Sequence, residues 1–433
     1  SWSDIGGGSD VHAEIRLPLA QALTAAQVGL SATAELRDAR LPDIVYGIGI
    51  EKGRLTVRVD GRRVDIEGET RLVGLPAVTE PVRVALGFDP GARGDGGRLR
   101  AVVDGPELSV EGTATLAGGM LYALTLRRLR FGRNDLSAEV TRRSSGEYRV
   151  SLDGASFDLE PLLAHSPSAG QGVAVRVPYA LEFRLKRVIA ATGLDLAEVH
   201  GNVHGDGGRI RSLAAAGGLA GGGMLRVSLT AADGRRRLAL TSDQGGKVLK
   251  ALGVFDNAVG GKLSVTATLD DGEPGTRLEG LLEMHDFRVV RTPILARVLS
   301  LGSLGGMADL LSGDGIPFTH AHFPFRWSDG RLELHDARAV GAIGLTADGV
   351  IDRGGGRIDL SGDIVPAHTL NAALGNLPLI GKLFVGTKGG GVFGIEYRVS
   401  GGLDKPDVRT NPLSVLAPGI LRKMFVNPFA TGR

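Results

Sequence analysis

Apolar and polar residues alternate with a period of two along most of the chain, in short segments closed by Gly, Asp or Asn. Successive side chains of a strand point to opposite faces, so this pattern belongs to half-buried antiparallel strands. In Arg54-Leu55-Thr56-Val57-Arg58-Val59-Asp60, the residues Leu55, Val57 and Val59 face one way and the polar residues face the other. The alternation returns in Leu225, Val227 and Leu229, in Leu263, Val265, Ala267 and Leu269, and in Leu332 and Leu334. It returns again in Ile358 and Leu360, and in Phe393, Ile395, Tyr397 and Val399. Asp60-Gly61, Asp233-Gly234, Asp271-Gly272 and Asp329-Gly330 carry the pair that tight hairpins favour, and the stretch from Gly91 to Gly97 is expected to be a hairpin tip. The chain is expected to be mainly β and largely a meander.

Composition narrows what such a meander encloses. The 433 residues are 42% hydrophobic and 23% charged, as in a folded chain. There are 67 glycines but only 13 Phe, 5 Tyr and 2 Trp, so the core is built mainly from Val, Leu, Ile and Ala. A net charge of +2, with basic residues scattered among carboxylates, excludes a nucleic-acid surface. Absence of cysteine removes disulfides and thiolate chemistry and leaves the compartment open. The chain begins at Ser1, and no apolar run approaches the roughly 18 residues of a membrane span. It reads as part of something longer, or as a processed product.

Helical segments are few. Thr292 and Pro293 suit an N-cap and first helical residue, opening a helical region near 293–311 that is interrupted by Gly302, Gly305 and Gly306. Further short helices are expected near 366–385 and 412–425, with smaller pieces at 159–165 and 246–252. The last region places Ile420, Leu421, Met424 and Phe425 on one stripe, as a membrane contact or an end cap of the sheet.

No chemical motif survives scrutiny. Thr387-Lys388 after Gly381 and Gly386 reverses the order that a phosphate loop needs. His200 and His204 are about 13 Å apart if extended, too far for one metal ion. His320 and His322 share a face but lack a third ligand. Leu301 occupies the first glycine position of a nucleophile elbow around Ser303, and no nonapeptide period supports a calcium-bound solenoid. No catalytic residue, cofactor or metal is assigned, and the chain is not expected to be an enzyme.

About 25 to 30 strands are countable, whereas open twisted sheets rarely exceed about 10 without curling, splitting or closing. The apolar face must be covered by a second sheet, by a solenoid turn, by barrel closure or by lipid. Periodicity alone leaves all four open. At about 4.8 Å per strand, such a sheet extends on the order of 100 Å.

Particular stretches favour one solution. Asp286-Phe287-Arg288-Val289 leading to Thr292-Pro293-Ile294-Leu295-Ala296-Arg297-Val298-Leu299-Ser300 is followed by Gly313-Asp314-Gly315-Ile316-Pro317-Phe318. Gly362-Asp363-Ile364-Val365-Pro366-Ala367 with Leu377-Pro378-Leu379-Ile380-Gly381, and then Asn411-Pro412-Leu413-Ser414-Val415-Leu416-Ala417-Pro418-Gly419-Ile420-Leu421-Arg422, complete four blocks. In this order they resemble the AsmA-like proteins, the TamB and YhdP group, and most closely the C-terminal part of the YhdP-like branch.

That resemblance implies a long curved antiparallel sheet forming an open hydrophobic groove. Residues 1–165 are its N-terminal part, and 166–433 are the AsmA-like C-terminal region with the short helices. It further implies a periplasmic protein, anchored in the inner membrane by a segment absent from this sequence, that carries phospholipid towards the outer membrane. The strand-face residues named above then become a lipid-binding track, where a charge at Val265 or Ile395 is expected to interrupt transfer. Ordinary core packing is the alternative for each of them. At the level of the whole chain, the alternative is a structural scaffold that assists outer-membrane biogenesis without binding lipid.

Overall fold

The computed structural model describes residues 6–16, 29–45, 47–91, 96–161, 177–191, 193–232, 235–270, 277–301, 314–366 and 395–411. Among them are 23 strands, all in one sheet, and two helices. The contacts divide the chain into two compact units. The first comprises residues 1–190 and 195–210, and the second 191–194 and 211–433.

The first unit holds β1 (Gly6–Arg16), β2 (Gly29–Val45), β3 (Ile48–Asp60), β4 (Arg63–Val73), β5 (Val82–Pro90) and β6 (Gly96–Asp104). It continues with β7 (Leu108–Ala117), β8 (Met120–Phe131), β9 (Asn134–Arg142), β10 (Tyr148–Asp158), β11 (Pro178–Ala191) and β12 (Leu194–Asp206). From β1 to β10 each strand pairs antiparallel with the next. β10 and β11 then pair in parallel, Tyr148 opposite Tyr179 and Leu152 opposite Phe183. The meander is therefore broken once. A parallel pair needs a crossover of about a dozen residues or more, and 159–177 supply one, of which 162–176 lie outside the described residues.

The second unit holds β13 (Ile210–Leu219), β14 (Met224–Ala232), β15 (Arg235–Ser242), α1 (Gly245–Ala251), β16 (Ala258–Asp270), β17 (Arg277–Val289) and α2 (Pro293–Leu301). β18 (Ile316–Ser328), β19 (Arg331–Gly341), β20 (Ile343–Asp352), β21 (Arg357–Pro366), β22 (Ile395–Gly402) and β23 (Pro406–Asn411) complete it. From β13 to β23 each strand pairs antiparallel with its sequence neighbour.

Turn chemistry follows the Asp-Gly signals with one difference. Ser328 pairs with Arg331, so Asp329 and Gly330 are the two turn residues, both at positive φ (49° and 81°) as a type I′ turn requires. Asp60, by contrast, still pairs with Arg63, so that turn is Gly61-Arg62, with positive φ at Gly61 alone. The pairs at 233–234 and 271–272 lie outside the described residues.

Of the expected helices, α1 occupies the 246–252 region. It ends with Gly253 at φ 63°, whose N–H donates to Lys250 O while Val254 N–H donates to Leu249 O; this is the double bond of a Schellman stop. α2 begins where the Thr292-Pro293 pair places it, and Thr292 O accepts the first intrahelical bond from Ala296 N. The Thr292 hydroxyl donates to Val290 O and does not cap a helix N–H. The expected helices near 366–385 and 412–425, and the continuation of α2 to 311, lie outside the described residues.

Candidate functional site

Residues directly opposite each other in a ladder point to the same face, so the registers can be followed from strand to strand as rows. In the first unit Val57 is paired with Ile66, Ile66 with Leu86, and Leu86 with Ala101. The row passes through Gly112 and continues as Leu126, Ala138, Leu152 and Phe183. A parallel row runs Val59, Val64, Phe88, Leu99, Ala114, Leu124, Val140, Val150 and Leu181. Every side chain in these two rows is apolar, and none of them is fully buried.

A third row, through Leu55, Val84, Val103, Val110, Leu129, Leu136 and Leu185, lies towards the other strand ends. There protein packing takes over. Ala39, Ile50 and Leu55 form one small buried cluster, and Val78, Val82 and Leu108 form another. The unit thus concentrates its dry packing along one edge of the apolar face and leaves the rest partly exposed.

The opposite face is wet. Arg58 is ion-paired with Glu67 at 3.3 Å and Arg184 with Asp153 at 3.0 Å, all four side chains well exposed. Such pairs contribute little to stability, at most about 1 kcal/mol each, but they mark this face as the one that meets water.

In the second unit Val227, Leu240, Val265, Leu282 and Phe323 form a partly exposed apolar row. β18 adds Phe325 and Trp327 on the same face, so three aromatic rings stand side by side there, all partly exposed. The neighbouring row, Leu225, Ser242, Leu263, Met284, Ala321, Ala339, Leu345, Ile364 and Ile395, is mostly buried. Helix α1 packs there. A Cβ on Gly245 would lie 2.8 Å from Leu263 Cβ and 3.0 Å from Met284 Cε, so only glycine lets the helix seat this closely. Helix α2 packs against β23.

Burial sorts the expected track residues into two groups. Val57, Val59, Val227, Val265, Leu332, Leu334 and Leu360 are partly exposed on the apolar faces. Leu55, Leu225, Leu229, Leu263, Ile358, Ile395, Tyr397 and Val399 are buried. Phe393 and the stripe Ile420, Leu421, Met424 and Phe425 lie outside the described residues. Sequence reasoning left unnamed the rows through Ile66, Leu86, Leu126, Leu152 and Phe183, and the aromatic strip of β18, although all carry the same alternation.

The polar face of the second unit holds a cluster of histidines around Glu283. His285 and His320 are paired across β17 and β18 with their rings stacked, centroids 4.4 Å apart. Glu283 Oε1 lies 3.5 Å from His322 Nδ1 and 3.8 Å from His320 Nε2. Burial, followed by repulsion from His285 and His322, holds the His320 imidazole below its ordinary pKa, against the pull of Glu283. Among the described residues no three His, Cys, Asp or Glu side chains are placed to hold a metal ion. His200 and His204 are exposed on β12.

No protein-family model, curated protein or solved structure matches the chain.

Proposed function

We propose that the chain is part of a periplasmic lipid conduit of the AsmA-like kind, whose apolar sheet faces form a groove carrying phospholipid between the inner and outer membranes. The observation that supports this reading is the pair of partly exposed apolar rows running from β3 to β11 without a polar side chain. Soluble domains rarely leave so large a contiguous apolar patch uncovered unless it meets a ligand, a partner or a membrane. Acyl chains suit it, since each Å² of apolar surface withdrawn from water contributes about 25 cal/mol and an unbroken row presents no polar step to a sliding tail. In this reading the wet face is turned to the periplasm, and anchoring in the inner membrane comes from a segment outside this sequence. The buried row under α1 fits the scaffold alternative better, so the lipid path in the second unit is assigned to Val227, Leu240, Val265, Leu282 and Phe323.

Transfer of a fluorescent phospholipid between donor and acceptor vesicles tests the reading. The chain is expected to accelerate transfer, and Leu126→Asp, in the partly exposed row, is expected to abolish the acceleration while the fold persists. A folded chain that leaves transfer at the spontaneous rate would replace the conduit with the scaffold.

A further inference from the structure

In the first unit the apolar face ends differently at its two strand ends. Towards one end lie the buried clusters around Leu55 and Val82. At the other end the row beyond Val140 and Val150 changes character. Arg142 on β9 is paired with Tyr148 on β10, and Tyr148 with Tyr179 on β11. Tyr122 on β8 lies two residues before Leu124, which is paired with Val140, so Tyr122 shares that face. Three tyrosines and one arginine therefore stand on four adjacent strands at one rim of the apolar face.

Protein contacts hold this rim in place. The Tyr148 hydroxyl donates to Leu121 O at 2.9 Å, so its ring bridges over β9. Tyr179 packs on Gly205 of β12, where its ring leaves no room for a Cβ. A Cβ on Gly146, in the turn between β9 and β10, would lie 3.5 Å from Arg142 Nη2, which places the guanidinium at the strand end. Arg142 is partly buried, yet among the described residues it makes no hydrogen bond or ion pair. The nearby carboxylate of Glu147 is ion-paired with Arg143 at 3.6 Å. The hydroxyls of Tyr122 and Tyr179 are likewise without a partner among the described residues, and Tyr122 is 55% exposed.

An unpaired guanidinium beside apolar surface favours an anion, and its planar fork matches two phosphate oxygens at once. Tyrosine suits the same boundary, with an apolar ring and a wet hydroxyl. Below the rim, Val140 and Ala138 follow on the same face of β9, both partly exposed. The first buried residue on that face is Leu136, about 20 Å from Arg142 along the strand. One leaflet of acyl chains is about 15 Å deep, half of a roughly 30 Å hydrocarbon core, and fits within that open depth.

We infer that Arg142 binds the phosphate of a lipid headgroup at this rim, with the Tyr122 and Tyr179 hydroxyls meeting its ester and glycerol oxygens. The acyl chains lie along the strands over Val140, Val150, Ala138 and Leu152. This rests on the conduit reading and adds to it an orientation and a ligand class: a phosphate-bearing lipid with its headgroup at the β9–β10 turn and its tails pointing towards the dry edge.

Three ligands titrated into the full chain separate the possibilities. Dioctanoylphosphatidylglycerol carries headgroup and chains, dioctanoylglycerol the same chains without phosphate, and glycerophosphoglycerol the headgroup without chains. Arg142→Gln is expected to lose about tenfold or more in affinity for the phospholipid and to keep its affinity for the diacylglycerol. Arg149→Gln, exposed on the wet face of β10, is expected to change neither. Equal phospholipid affinity in wild type and Arg142→Gln would overturn the headgroup site. A parallel loss of both lipids would overturn it as well, by assigning Arg142 to the shape of the groove. Binding of glycerophosphoglycerol as tight as that of the phospholipid would leave a plain anion site and would also overturn it. If wild type binds neither lipid, the conduit reading fails and the headgroup site with it, an outcome distinct from a loss confined to the variant.

Discussion

The hydroxyl of Tyr397 donates to Thr346 O at 2.7 Å, through space that Gly362 leaves open between their two strands. Tyr397 is buried, and burial pushes its phenol well above the usual range, so it stays protonated and can donate. A residue that alternation places on a lipid track is here a core strut. Tyr397→Phe is expected to cost about 1–2 kcal/mol by leaving the Thr346 carbonyl without this partner. Gly362→Ala is expected to cost about 3 kcal/mol or more, because its Cβ would lie 1.9 Å from Thr346 O. Denaturant melts of both variants check the order.

Lys52 sits at φ 54° in the middle of β3, where the pairing with β4 slips between Glu51 and Arg54. A bulge of this kind inserts one residue and restores the apolar face beyond it, at the cost of a left-handed backbone. Lys52→Val is expected to lower stability by about 1–2 kcal/mol, since a β-branched side chain tolerates this region poorly, while Lys52→Asn changes it by a few tenths. Equal melts for the two variants would show that the bulge does not constrain the position.

Stability is expected to fall in mild acid. The folded chain resists protonating His320, whereas an unfolded chain protonates it below about pH 6.5, so this contribution is full above that value and is lost as pH falls towards the lowered one. Its neighbours on the same face are Lys262, Glu283, His285, His322 and Arg338. Thermal melts at pH 8 and pH 5.5 are expected to differ less for His320→Asn than for wild type. An unchanged difference would remove His320 as a cause.

Two aspartate substitutions that look alike in sequence are expected to part company. Ile395 is 5% exposed and pairs with Ile364, itself 1% exposed, so Ile395→Asp buries a charge and unfolds the second unit, a loss above about 4 kcal/mol. Val265 is partly exposed, and Val265→Asp is expected to leave a folded chain. Circular dichroism melts distinguish them.

That contrast also marks what could be read from residues alone. Period-two alternation revealed the strands and their oily face because the pleat imposes it locally. The bulge in β19 was not read, although the sequence carries an apolar spacing of three around the polar pair His335-Asp336, from Leu334 to Ala337. Asp336, inside that register shift, takes a positive φ of 52°. The parallel pairing of β10 with β11 was not legible, since alternation is blind to strand direction. Nor was the burial of Ile395, since alternation alone does not separate it from the partly exposed Val265.

Native mass spectrometry of the purified chain with lipid extraction tests the lipid track most directly. Phospholipid is expected to copurify with wild type and to be absent from folded Val265→Asp and Leu126→Asp. A wild-type chain that is well folded and free of lipid, with its apolar rows still open, would contradict it.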